Sequence, residues 1–138
     1  TYVAADQSRQ IPVVVHRAIY GSLERFMGVL LEHYKGNLPF WLTPVQVKLL
    51  TITDAQKEYA RSIMAELDKH GIRTELDESS DPIAGQIKTA QQEKVPMMLV
   101  LGKKEMANNT VTIRHRDGTQ EADISIETLL KKVTELNK

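Results

Sequence analysis

Residues 43–138 predict an α/β fold, a five-stranded mixed sheet flanked by helices, on three observations. From residue 45 onward, β-rich apolar runs alternate with amphipathic helical patterns, which favours a parallel sheet. Residues 97–101 (Met-Met-Leu-Val-Leu) form a continuous apolar run, as expected of a strand covered on both faces. Asp117-Gly118, set between two further strand-like runs, marks a two-residue hairpin that adds an antiparallel pair.

The elements follow in chain order. Residues 12–17 (Pro-Val-Val-Val-His-Arg) read as a buried strand. Ser22 can cap the helix that follows. Leu23, Phe26, Met27, Leu30, Leu31 and Tyr34 make its apolar stripe, and Gly36 stops it. Residues 36–44 hold Gly, Asn and two Pro, the composition of a linker, so residues 1–42 and 43–138 are expected to form separate parts.

Residues 45–52 are the first strand of the second part. Thr53 with Gln56 three residues on has capping-box form, opening a helix that buries Ala60, Ile63, Met64 and Leu67. Gly71 ends it, and residues 72–76 make a second strand. Asp81-Pro82 starts another helix, with Pro82 expected at its first position and Ile83, Ile87 and Ala90 inward. The strand at 97–101 follows. Residues 110–116 then alternate, with Val111, Ile113 and His115 on one face and Thr112, Arg114 and Arg116 on the other. After the hairpin and a strand over 120–124, Ser125 caps a last helix that buries Ile126, Leu129, Leu130 and Val133.

Composition narrows the function classes. The 138 residues are 41% hydrophobic and 26% charged, as in an ordinary globular domain with an aliphatic core. No apolar run approaches the roughly 20 residues of a membrane span, and no signal-peptide pattern opens the chain. Absence of cysteine removes disulfides and thiolate metal sites, which fits a cytoplasmic protein. Net charge is zero, against indiscriminate nucleic-acid binding. Cations nevertheless gather between Lys88 and Arg116 and acids between Asp54 and Asp81. One basic side suits a selective RNA reader and equally suits a solvated face.

The run His16-Arg17-Ala18-Ile19-Tyr20-Gly21-Ser22-Leu23-Glu24-Arg25-Phe26 resembles the third signature motif of class II aminoacyl-tRNA synthetases, in the form found in threonyl-tRNA synthetases. The likeness continues through Pro39-x-Trp41-x-x-Pro44-Val45-Gln46-Val47, Ile52-Thr53-Asp54 and Val95-Pro96-x-x-Leu99-Val100-x-Gly102-x-Lys104-Glu105. It implies that residues 1–42 are a strand-helix remnant of the catalytic domain and 43–138 an anticodon-binding domain. The parent enzyme would attach threonine to its tRNA using ATP with magnesium, would carry zinc, and would be a homodimer. Its partner would be the anticodon loop of a threonine tRNA, with no membrane involved.

By the same resemblance Arg25 matches an arginine on the ATP phosphates, where a fixed cationic fork suits the growing charge of pyrophosphate. Ser22 matches the aminoacyl pocket and His16 a zinc ligand. On residues alone, Ser22 is an ordinary cap and Arg25 a solvated side chain. Zinc in such open sites takes three protein ligands, and His33, His70 and His115 fall on three different elements. No cofactor is therefore expected on this chain by itself, which is expected to be catalytically inactive.

The resemblance places Glu105 and Arg114 against anticodon bases and Lys88 beside them. Lys103 and Arg116 complete the candidate cluster. A carboxylate accepts from base amino groups and an arginine donates to carbonyl edges of splayed bases. On the residues alone the cluster is an exposed helix face and a polar hairpin face. The chain departs from the family at Glu78-Ser79-Ser80-Asp81-Pro82-Ile83-Ala84-Gly85-Gln86-Ile87, where polar and cationic residues leading into Ile-Gly-x-Lys-Ile are usual. An accessory or regulatory paralogue, keeping the fold as an interaction module, is the alternative in another class. A generic nucleotide-binding enzyme is opposed by the lack of a Gly-rich loop after the first strand.

Overall fold

The computed structural model describes residues 1–138, which fall into two compact units, Thr1–His33 and Tyr34–Lys138.

In the first unit β1 (Tyr2–Val3) and β2 (Arg9–Gln10) form a small antiparallel hairpin. Asp6 closes its turn by accepting from the Ser8 amide at 3.0 Å and the Ser8 hydroxyl at 2.7 Å. Helix α1 (Leu23–Tyr34) starts where expected, with Ser22 Oγ accepting the Arg25 amide at 3.1 Å. Tyr20 stacks on Phe26 with ring centroids 4.4 Å apart.

Residues 12–17 correct the sequence reading. They form no strand, and Val13, Val14 and Val15 are almost wholly exposed. The pattern there is strand-like, but a strand exists only with a neighbour to accept its amides, and β1 and β2 are spent on each other.

In the second unit the sheet order is β4-β3-β5-β6-β7. Its strands are β3 (Val47–Thr51), β4 (Thr74–Leu76), β5 (Met97–Leu101), β6 (Thr110–His115) and β7 (Gln120–Ser125). β3 pairs in parallel with both β4 and β5, while β5–β6 and β6–β7 are antiparallel. This is the mixed five-stranded sheet the pattern predicts.

Helices α2 (Lys57–Lys69) and α5 (Ile126–Leu136) supply Ala60, Ile63, Leu67, Leu129 and Val133 to the main core. There they meet Val47, Leu49, Met97, Leu99, Leu101, Val111 and Ile113 of the sheet. The opposite face has a smaller core, in which Ala90 of α3 (Ile83–Gln92), with Ile83 and Ile87, packs on Leu50 and Met98. β5 is thus buried from both sides, as its apolar run requires.

Local signals are realised closely. Gln56 Oε1 accepts the Thr53 amide at 2.9 Å and the Thr53 hydroxyl at 2.8 Å, so the capping box leads through a 3-10 turn into α2. Gly71 leaves α2 with φ +72. Ser125 caps α5 by accepting the Thr128 amide. Pro82 is a shift of one: it is the N-cap of α3, with φ −56 and ψ 147, rather than its first residue.

Two further corrections concern the second half. The hairpin turn is longer than two residues, because Asp117 Oδ1 takes the Thr119 amide and hydroxyl and so winds the loop at residues 116–119. The sequence pattern also assigns no element to residues 103–109, whereas α4 (Lys103–Asn108) forms there.

The turn before β3 is held by buried polar groups. Gln46, fully buried, donates to Phe40 O at 3.0 Å and Asn137 Oδ1 at 2.6 Å and accepts the Arg73 amide at 2.9 Å. The Arg73 guanidinium reaches back to the carbonyls of Trp41 and Thr43 at 2.7 and 2.8 Å. Residues 40–46 are thereby tied to the start of β4 and the end of α5.

Lys48 lies within β3 at 4% exposure, with Nζ 2.8 Å from Glu75 and 2.7 Å from Glu93. Burial alone pulls its pKa down, but the hydrogen bonds it donates to Glu75 and Glu93, with their negative charge, outweigh that and raise it above its usual 10.5. A raised lysine contributes its full stabilisation below pH 10.5 and loses it as pH climbs through the folded-state value. Urea unfolding of wild type and Lys48→Met should therefore run in parallel through neutral pH. As pH rises above 10.5 the wild type should lose stability relative to the variant, and an equal alkaline response in both would remove the ion triad from the account.

Candidate nucleic-acid interface

The register of β5 and β6 builds the candidate site. Met98 pairs with Arg114 and Val100 with Thr112, and cross-strand partners share a face. Because Met98 faces the α3 core, Thr112 and Arg114 lie on the α3 side of the sheet, about 7 Å apart along the strand. Both are partly buried. The β6 end of this face thus carries polar side chains where the β3 end carries an apolar core.

Glu105, the third residue of α4, closes the site. Its Oε2 accepts the Gly102 amide at 3.0 Å, the helix-side half of a capping box, and its Oε1 accepts the Thr112 hydroxyl at 3.0 Å. A carboxylate has about four lone-pair positions, so two remain for a ligand. A Cβ on Gly102 would stand 2.9 Å from Glu105 Oε2 and 2.8 Å from Ile52 Cδ1. A side chain there would push on the ends of Ile52 and Glu105 and disturb the Glu105 bond to the Gly102 amide, while the φ of −119 is ordinary. Asn109, with φ 53, then turns the chain from α4 into β6.

Arg114 completes the set. Its Nε is buried and meets no acceptor in the protein. A buried unpaired donor costs roughly 1–3 kcal/mol, and an incoming acceptor would recover it.

The remaining predicted residues divide. Lys88 on α3 and Lys103 at the start of α4 are exposed. Lys104 is paired with Asp123 at 3.0 Å, and Asp123, with φ 56, sits at a bulge where β7 opposes β6 with an extra residue. Arg116 is not with the group. Its amide bonds Pro96 O and its Nη1 reaches Leu38 O at 3.4 Å, toward the start of β5, about 20 Å along the strand from Gly102. Thr112 was not singled out in the sequence, although alternation had already placed it on the face of Arg114.

The first-unit candidates are arranged differently. Ser22 is engaged as a helix cap, Arg25 is exposed on α1, and His16 lies in the exposed stretch at 11–18. No three His, Asp or Glu side chains come together to hold a metal ion. The residues present therefore do not assemble a zinc centre.

A family model described as an anticodon binding domain matches residues 44–136. The chain is 46% identical over 137 residues to a threonine–tRNA ligase of Clostridium tetani, covering 99% of this chain and 21% of that protein. It is 47% identical over 133 residues to that of Alkalilimnicola ehrlichii, again covering 21% of the relative. The chain thus spans about a fifth of the length of the curated relatives it matches. Among solved structures, the RNA binding domain of threonyl-tRNA synthetase from Cryptosporidium parvum superposes with a TM-score of 0.79 at 37% identity, covering 84% of this chain and 29% of that one. Prolyl-tRNA synthetase from the same organism gives 0.65 at 25% identity, covering 72% and 22%.

The double engagement of Glu105 makes a structural prediction. Glu105→Ala should lower stability by about 1–3 kcal/mol and speed amide exchange at Met106–Asn108, because Gly102 N–H and the Thr112 hydroxyl lose their acceptor. Unchanged exchange in α4 would show that the carboxylate does not hold it.

Proposed function

The chain belongs to the anticodon-binding domain family, and from that membership we propose that it reads the anticodon loop of a threonine tRNA as part of a threonine–tRNA ligase. The observation that carries the reading is the grouping of Glu105, Thr112 and Arg114 on one sheet face, with Arg114 Nε left without an acceptor. Unpaired loop bases are read through hydrogen bonds to their edges. Glu105 offers two free acceptor positions to base N–H groups, and Arg114 offers planar donors to base carbonyls and ring nitrogens. Lys88, exposed on α3, and Lys103, exposed at the start of α4, suit the loop phosphates, which position the RNA without reading it. Arg116 has no part in the proposed base contacts.

Net charge supports selectivity. A neutral chain lacks a broad cationic field, so discrimination rests on a few directed contacts, with Lys88 and Lys103 adding a local phosphate contribution. The longer ligase would be cytoplasmic and dimeric. No helix of the structure is long and apolar enough to cross a membrane.

In the ligase, Arg25 would face the ATP phosphates, where its permanent charge would meet the charge growing on the leaving pyrophosphate. Ser22 would border the aminoacyl pocket. Neither can act before other residues position the substrates around them.

Arg114→Ala should weaken binding of a threonine-tRNA anticodon stem-loop by about 1–3 kcal/mol while leaving the melting temperature nearly unchanged. Fluorescence titration of the stem-loop measures this. Equal affinity of the two proteins would remove Arg114 from the interface and favour an interaction module that keeps the fold without reading RNA.

A further inference from the structure

A recess of about 230 Å³ opens at the start of β5, lined by Pro96, His115, Arg116 and Asp117. The Arg116 guanidinium has one acceptor in the protein, Leu38 O, 3.4 Å from its Nη1. A guanidinium carries five N–H donors in a fixed fork, so most of them stay open. The Arg116 amide donates to Pro96 O and so extends the β5–β6 ladder past His115. Alternation then sets Arg116 on the face of Arg114, about 7 Å further along the strand.

Lys94 reaches the same place by a separate contact. A Cβ on Gly36 would stand 3.7 Å from Lys94 Cγ, so the lysine stem lies along Gly36, two residues before Leu38. Two residues of chain span at most about 7 Å, and both cations therefore flank residues 36–38. Lys94 is exposed, and no carboxylate pairs with it.

The neighbouring acids differ in what they leave free. Glu93 is held by Lys48 at 2.7 Å, and His115 is turned to Glu121 at 3.1 Å. Asp117 Oδ1 accepts the Thr119 hydroxyl at 2.7 Å and the Thr119 amide at 2.9 Å. Those bonds hold its carboxyl below the usual carboxylate range, so it stays charged beside Arg116. Two cations against one carboxylate still leave the site cationic, in a chain whose net charge is zero. An open planar fork with a second cation beside it suits a phosphate.

We propose that Arg116 and Lys94 clamp a backbone phosphate in the paired stem of an RNA whose loop is read at Arg114. The inference rests on the RNA-reading function proposed above and extends it from loop bases to the stem backbone. The bond to Leu38 O holds the arginine fork in place before the RNA arrives, which reduces the freedom lost on binding. Phosphate contacts fix register without reading sequence, so this clamp sets where the loop sits over Glu105, Thr112 and Arg114. Asp117 limits its strength.

The test uses the full chain and a fluorescent threonine-tRNA anticodon stem-loop, titrated over a range of salt concentrations. Arg116→Gln keeps a donor for Leu38 O and removes the charge, and Lys94→Gln removes the second cation. Each should weaken binding several-fold and flatten the slope of log affinity against log salt by about one. The penalty for changing an anticodon base should stay as in the wild type. Asp117→Asn keeps the acceptor that Thr119 uses and should strengthen binding. Uncharged methylphosphonates are then placed at the stem phosphates one at a time. At least one should weaken wild-type binding, and Arg116→Gln should be insensitive at that position. Melting temperatures check folding, and where a variant fails to fold the methylphosphonate scan of the wild type decides alone. Stem-loop binding with no sensitive stem phosphate, or with the wild-type salt slope in both glutamine variants, overturns the clamp and leaves the RNA-reading function standing. No stem-loop binding by the wild type overturns both.

Discussion

The candidate interface depends on one carboxylate. Glu105 accepts the Gly102 amide with one oxygen and the Thr112 hydroxyl with the other, both at 3.0 Å. The first bond starts α4 at the end of β5, and the second fixes α4 against β6. Without them a six-residue helix has little to hold it, since isolated helices shorter than about 12 residues are marginal in water. The same bonds fix the carboxylate's orientation, so its remaining lone pairs point in a set direction. A group that is already bonded to the scaffold loses little freedom when a ligand arrives.

The sheet supplies the rest of the positioning. β5 is buried on both faces, which fixes its register with β6 and so the face on which Thr112 and Arg114 lie. A slip of one residue would turn both toward the α2–α5 core, where a guanidinium has no compensation. Packing of Met98 and Leu99 on opposite faces therefore sets the site as firmly as the polar residues do.

Much of this was legible from the residues. The 97–101 run declared a doubly covered strand, and alternation from Thr110 placed Arg114 opposite the core. The Thr53–Gln56 and Ser125 caps gave helix starts through side-chain chemistry that acts within three or four residues. What failed was long-range or unusually local. Residues 12–17 have the composition of a strand, yet pairing is decided by a neighbour that no local pattern names. α4 is too short to show periodicity, and its cap residue is Gly102, which has no side-chain acceptor. The Gly-x-x-Glu spacing was its one available signal. Gln46, Arg73 and Gln86 gave no signal, because a glutamine or arginine looks the same in sequence whether solvated or holding two or three backbone groups. The catalytic roles of Ser22, Arg25 and His16 came through family resemblance alone; in the structure Ser22 caps α1, as its residue type suggests, and Arg25 and His16 are exposed.

RNA is expected on the α3 side of the sheet and not on the α2–α5 side. Amide chemical-shift mapping during titration with a threonine-tRNA anticodon stem-loop tests it most directly. Shifts should concentrate in 102–105, in 112–114 and at the start of α3, with α2 and α5 quiet. Shifts centred on α2 and α5, or spread evenly over the domain, would contradict the account.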